Sequence, residues 1–184
     1  MKTTLLALWL ASTTIGAPAW RAAQSDIRVT CPMTIGGSFD VRTTALSGTL
    51  TVSTSRSPAF DGSLAVDLRT LDTGISLRNT HLRENYLEVN KGPGYDQATV
   101  SDINLKGLNP ETPQGKGSFT GALTLHGVKK AVTGSVDVRQ AGGGLQIKAS
   151  FPINLSDYSI SAPRYLGVGV KNTVQVQVAF AVTQ

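Results

Sequence analysis

Nothing constrains this chain more than the alternation in its final segment, TVQVQVAFAVTQ. Val174, Val176, Val178, Phe180 and Val182 share one face, and Gln175 and Gln177 share the other. A period of two separates apolar from polar only on an extended chain, whose successive side chains point to opposite sides. The segment is therefore a strand with one buried face.

The same pattern recurs upstream. LQIKASFPI aligns Leu145, Ile147, Ala149, Phe151 and Ile153, and AVTGSVDV aligns Val132, Gly134, Val136 and Val138. SFTGALTL aligns Phe119, Gly121, Leu123 and Leu125, SLAVDL aligns Leu64, Val66 and Leu68, and SGTLTV pairs Leu50 with Val52. DIRVTCPMTI places Ile27, Val29, Cys31, Met33 and Ile35 together. In ATVSDINLKG the apolar parity changes between Val100 and Ile103, which predicts a bulge or bend. Turn signals at Ser57-Pro58, Gly92-Pro93-Gly94, Asn109-Pro110, Pro113 and the glycines 142–144 divide the chain into about eight strands.

Most neighbouring strands have no room between them for a crossover helix, so a parallel sheet is disfavoured and a sandwich or an antiparallel barrel remains. The barrel is preferred because the inward faces are aliphatic, and the whole chain holds only five Phe, four Tyr and two Trp. Eight strands enclose an interior that either fills with side chains or holds one slender ligand, and composition leaves both open. One all-β domain over 24–184 is expected, an eight-stranded antiparallel barrel with one short helix after the third or fourth strand.

The N-terminus has a separate logic. Met1-Lys2, an apolar run and the small-x-small sequence Ala17-Pro18-Ala19 describe a cleavable signal peptide over 1–19. The run is shorter than a bilayer span and carries threonines, so no stable membrane anchor is expected. The destination is periplasmic or secreted. The single cysteine has no intramolecular partner, and Cys31 is read as an inward strand residue. A formal charge of +5 is spread along the chain with no Lys/Arg stripe, so nucleic acid is not an expected partner.

No chemistry-bearing motif is present: nucleophile elbow, HExxH, CxxC, phosphate loop and dinucleotide fingerprint are all missing. No enzyme activity, cofactor or metal site is expected. Asp67, Asp72, Glu84 and Glu88 read as solvated charges and caps, and His126 in LTLHGVKK reads as part of a tight hairpin turned by Gly127. Alternatively, His126, Lys129 and Lys130 form a basic rim. GISLRNTHLREN breaks the alternation. At helical spacing Ile75, Leu82, Tyr86 and Val89 form one stripe with Arg78 at its edge, while His81, Glu84 and Glu88 lie opposite, and Asp72 or Thr73 can cap the first turn.

The order of these features carries a resemblance. LDTGISLRNTHLRENYLEV, GALTLHGVKKAVTGSVDV, SFPINLSDYSI and VGVKNTVQVQVAF follow one another as similar elements do in YceI-like proteins, over roughly 27–182. SDIRVTCPMTI stands where that family often has Asp-x-x-His-Ser, and NKGPGYDQATV replaces its usual link after the helix. The resemblance implies a lipocalin-like barrel, exported in bacteria, that holds a polyisoprenoid or fatty-acid-like amphiphile without catalysis. Val29, Leu50, Val66, Leu123, Val136, Phe151, Val176 and Phe180 are the expected lining, and Arg78, His81 and Arg164 the candidates to hold a head group. The other reading is a closed-core secreted domain acting through a protein partner or in a stress response. Self-association into a homodimer is left open.

Overall fold

The computed structural model describes residues 19–53, 59–108, 114–165 and 167–183. The expected signal peptide lies outside them, save for Ala19. Strands β1 (Ala19–Pro32), β2 (Ser38–Thr43), β3 (Leu46–Val52) and β4 (Ala59–Asp67) lead into helix α1 (Ser76–His81). Strands β5 (Gln97–Lys106), β6 (Gly115–Leu125), β7 (Val128–Ala141) and β8 (Gly144–Asn154) follow, then the two-residue strands β9 (Arg164–Tyr165) and β10 (Val168–Gly169), and finally β11 (Thr173–Thr183). The paired chain thus includes residues ahead of 24.

All neighbours pair antiparallel in the order β11-β8-β7-β6-β5-β4-β3-β1-β2, and β11 also pairs with β1, which closes the sheet on itself. The third and second strands take successive halves of one edge of β1: Trp20 faces Leu50, whereas Val29 faces Val41. Together they act as one stave, so the barrel has eight. Closure protects the edges of the wall, and the outer side of β2 is met by an isolated bridge from Arg42 to Asp72.

The parity change in β5 is a real bulge. Register shifts between Ser101 and Asn104 against β6, and Asp102 sits at φ 54°. The HGVK turn is a two-residue hairpin in which both His126 (φ 51°) and Gly127 (φ 75°) are left-handed, the backbone that matches strand twist.

One end of the barrel carries the β1–β2 loop, the α1 segment, the β6–β7 turn and residues 155–172. The last three are tied together around His126, which is 8% exposed, and the β1–β2 loop is held to Gly169 through Thr34. Its Nδ1 lies 3.0 Å from the Tyr158 carbonyl and its Nε2 2.9 Å from Glu88 Oε2, with Tyr95 edge-on at 4.8 Å. His126 therefore packs beneath the turn and does not face solvent as a rim residue. Lys91 Nζ, 2.7 Å from Glu88 Oε1, and then His126 hold the Glu88 carboxyl below its usual range.

A group whose folded pKa is lowered contributes stability above its unfolded pKa, about 4.3 for Glu, and loses it as pH falls through the folded value. Glu88→Gln is therefore expected to melt below the parent at pH 7, with the gap closing under acid. A gap independent of pH in thermal melts would remove the ionic part of this tie.

Candidate functional site

The inward faces do not fill the barrel. They enclose one continuous cavity of about 770 Å³, within the ~300–1,000 Å³ common for small-molecule sites. Every sequence-predicted lining residue, Val29, Leu50, Val66, Leu123, Val136, Phe151, Val176 and Phe180, lies on its wall. The alternation explains why, since each strand contributes every second side chain. Leu123, Val136, Phe151, Val176 and Phe180 are buried, and Phe119 and Phe151 meet edge to face at 5.6 Å across the wall.

The polar groups gather at the end closed over by α1. Arg78, His81 and Arg164 all line the cavity, two from the α1 segment and one from the β9–β10 hairpin. Arg164 and His81 are exposed, so the cavity meets solvent here. The Arg78 guanidinium stacks 4.4 Å above the Phe39 ring, which holds it partly buried at the inner edge of the opening. Among the described residues no Asp or Glu lines the cavity, and Arg78, His81 and Arg164 have no carboxylate partner. The mouth is cationic above an apolar chamber.

Three details of the helix depart from a simple helical stripe. The chain passes from α1 into a wider turn over Leu82–Tyr86, closed by Leu87 N–H donating to the Leu82 carbonyl at 2.9 Å. That turn shifts the phase, so His81 reaches the cavity with Leu82 and Tyr86 instead of pointing away from them. Ile75, expected in the buried stripe, is 49% exposed at the helix start. Neither Asp72 nor Thr73 caps α1. Both bind Asn79, whose Nδ2 donates to Asp72 Oδ1 at 2.6 Å and whose Oδ1 accepts from the Thr73 backbone N–H at 2.7 Å. Arg83 holds the segment to the wall through two bonds, 3.2 and 2.6 Å, to the Leu71 carbonyl.

Ile35 also leaves its expected place. Pairing of β1 ends at Pro32, with one bridge from Met33 to Val170, and the following bend turns Ile35 out at 67% exposure. Sequence reading missed Trp20, Phe39, Phe60 and the neighbours of Arg164, namely Pro163, Val168, Gly169 and Val170, as parts of the cavity wall. A partial signal existed only for Phe39 and Phe60, which stand in short runs beside recognised strands.

Cys31 lines the cavity as an inward thiol, and burial, assisted by the Asp40 charge, pushes its pKa up to about 11. The thiolate is the reactive form. Alkylation at pH 8 is therefore expected on the order of a hundredfold slower in the folded protein than in urea, where the pKa returns to about 8.5. Equal rates by mass spectrometry would place the thiol in water. No grouping of three metal-ligating side chains occurs among the described residues, and neither a hydrogen bond nor an ion pair joins His81 to Glu84.

A family model described as the YceI-like domain matches residues 20–182. No curated relative matches the sequence. Among solved structures, the chain is similar to BcnA of Burkholderia cenocepacia at 20% identity and a TM-score of 0.68, covering 86% of this chain and 96% of that one. It is similar to a polyisoprenoid binding domain from Saccharophagus degradans at 19% identity and a TM-score of 0.66, covering 91% and 98%. A YCEI protein of Campylobacter jejuni follows at 16% and 0.58, covering 82% and 87%. These likenesses show the fold.

Proposed function

The chain belongs to the YceI-like domain family, and on that premise we propose that it is a non-enzymatic binding protein for a long apolar amphiphile. The chain of a polyisoprenoid or fatty-acid-like lipid lies in the barrel, and its head group sits among Arg78, His81 and Arg164. The carrying observation is an apolar cavity of about 770 Å³ whose polar lining, among the described residues, holds cations and no carboxylate. A family generally made of binding proteins and a neighbour described as a polyisoprenoid binding domain support the same reading.

The physics follows from the wall. Apolar ligand surface leaves water at about 25 cal/mol per Å², and a slender chain can bury nearly all of its own. The mouth then sets orientation. An anionic or strongly accepting head group finds donors there, while a cationic one meets repulsion with no acid to offset it. Export by a cleavable signal peptide into the periplasm or the medium belongs to the proposal, because an apolar chain needs a carrier to cross water.

Native mass spectrometry on protein purified from its own host tests the reading directly. A bound lipid with a polyprenyl or fatty chain is expected, and a ligand-free protein that also refuses such chains in vitro would overturn it. Arg78→Gln is expected to weaken a fatty carboxylate by about tenfold or more, the scale of one charged hydrogen bond, and to leave the corresponding fatty alcohol nearly unchanged. Equal losses for both ligands in fluorescence titrations would remove Arg78 from the head-group site.

A further inference from the structure

Three large apolar side chains stand exposed among the described residues: Ile35 (67%), Ile75 (49%) and Leu77 (66%). All three lie at the mouth end. Ile75 and Leu77 fall between Thr73 and Arg78, both of which line the cavity. Ile35 follows Thr34, whose backbone N–H donates to the Gly169 carbonyl at 2.7 Å and whose Oγ1 accepts from Gly169 N–H at 2.9 Å, and Gly169 itself lines the cavity. The two groups flank the same strand, since β2 begins just after the Ile35 loop and binds Asp72 through Arg42. Single exposed aliphatics are ordinary on a protein surface. Three arranged on the lip of a lipid cavity, with none elsewhere among the described residues, are not scattered.

Charge at this end favours one occupant. Asp40 is taken up by Arg28 and Arg42, Asp67 and Asp96 by Arg69, and Glu88 by Lys91. Asp72 is engaged by Asn79 and Gly74, and Asp157 by Asn154. Arg78, Arg164 and Lys171 have no carboxylate partner, and Glu84 is the exposed acid left on the α1 segment. Aliphatic side chains beside free cations match a bilayer surface that carries anionic head groups, where apolar groups enter the interface and cations meet phosphates.

We infer that the lip formed by Ile35, Ile75 and Leu77 docks on an anionic membrane surface, bringing the cavity mouth against the bilayer so that a lipid passes without crossing bulk water. This rests on the lipid-binding reading, yet the two can fail separately. Docking is a reversible surface contact, needing neither a spanning segment nor a conformational change in the barrel.

The test uses the mature chain, phosphatidylcholine vesicles with and without phosphatidylglycerol, and a fluorescent polyene fatty acid as cavity probe. Co-flotation with the anionic vesicles is expected, reduced by raising salt, because the Debye length falls from about 8 Å to about 3 Å between physiological and molar ionic strength. The triple variant Ile35→Ser, Ile75→Ser, Leu77→Ser should lose flotation by about tenfold or more and still take up the probe in solution. Glu84→Gln should strengthen flotation. Flotation of the triple variant at the parental level, or none by the parent, overturns the inference. A parental dimer in native mass spectra that the triple variant converts to monomer, with no vesicle binding by either, would assign the lip to a second copy of the chain and also overturn it. Probe uptake lost from the parent while vesicle binding persists would sink the cavity reading and leave the docking surface standing.

Discussion

Val136→Trp is expected to abolish uptake of long-chain ligands while the protein stays folded. Val136 lies on the cavity wall in β7, and its cross-strand neighbours are Gly117 on β6 and Ala149 on β8. Both neighbours are small, so an indole at this position has open cavity ahead of it. In a filled core the same change would overpack the interior, at about 1–3 kcal/mol or more. In a hollow barrel the ring occupies space meant for ligand, and its own burial offsets much of the strain. Affinity for a fatty or polyprenyl chain should fall by about a hundredfold or more, the equivalent of ~2.7 kcal/mol lost to blocked burial. Thermal stability should move by a few degrees only. Val136→Phe should give a smaller step in the same direction. Uptake unchanged by either ring would mean that the chain binds elsewhere.

Gly134→Val should be a strongly damaging change in the wall. Gly134 lies opposite Phe119 of β6, and a side-chain carbon there would sit 2.3 Å from the Ser150 carbonyl oxygen and 2.7 Å from atoms of both Phe119 and Phe151. The missing side chain is the slot in which those two rings meet edge to face at 5.6 Å. The obstacle on one side is backbone of β8, which cannot swing away without parting the β7–β8 ladder. A loss of about 3 kcal/mol or more is expected, which for a domain of this size lowers the melting temperature by roughly 6–12 °C. Gly134→Ala should lose less but in the same sense. Calorimetry on Gly134→Val that shows a melting point within experimental error of the parent would mean that the rings, and not Gly134, set the spacing.

Gly134 also shows where sequence reasoning stops. Its place on the inward face follows from counting by twos along AVTGSVDV, and the structure agrees. Its purpose depends on Phe119 and Phe151, which arrive from strands on either side of β7. The same division holds elsewhere. The bulge near Asp102 was visible because a bulge changes apolar parity within a single strand. The exposure of Ile35 was not, because the alternation runs on for three residues after ladder pairing has ended at Pro32. Helical spacing sets His81 opposite its stripe, but one wider turn over Leu82–Tyr86 shifts the helical phase and brings it to the cavity, and no residue type announces such a turn.

By itself, then, the sequence determined most of the strands, their buried faces, the HGVK hairpin and the antiparallel pairing, with a closed barrel preferred over a sandwich. These depend on properties that neighbours in the chain share: alternating side-chain direction, turn residues with the right backbone freedom, and connections too short for parallel pairing. Only the tertiary structure decided that the barrel is hollow, that its opening gathers Arg78, His81 and Arg164, and that Phe39 braces the first of them. Interior volume is set by how many strands close the sheet and how far they stagger. A cluster drawn from residues 39 to 164 exists only once the closed barrel brings both segments to the same end.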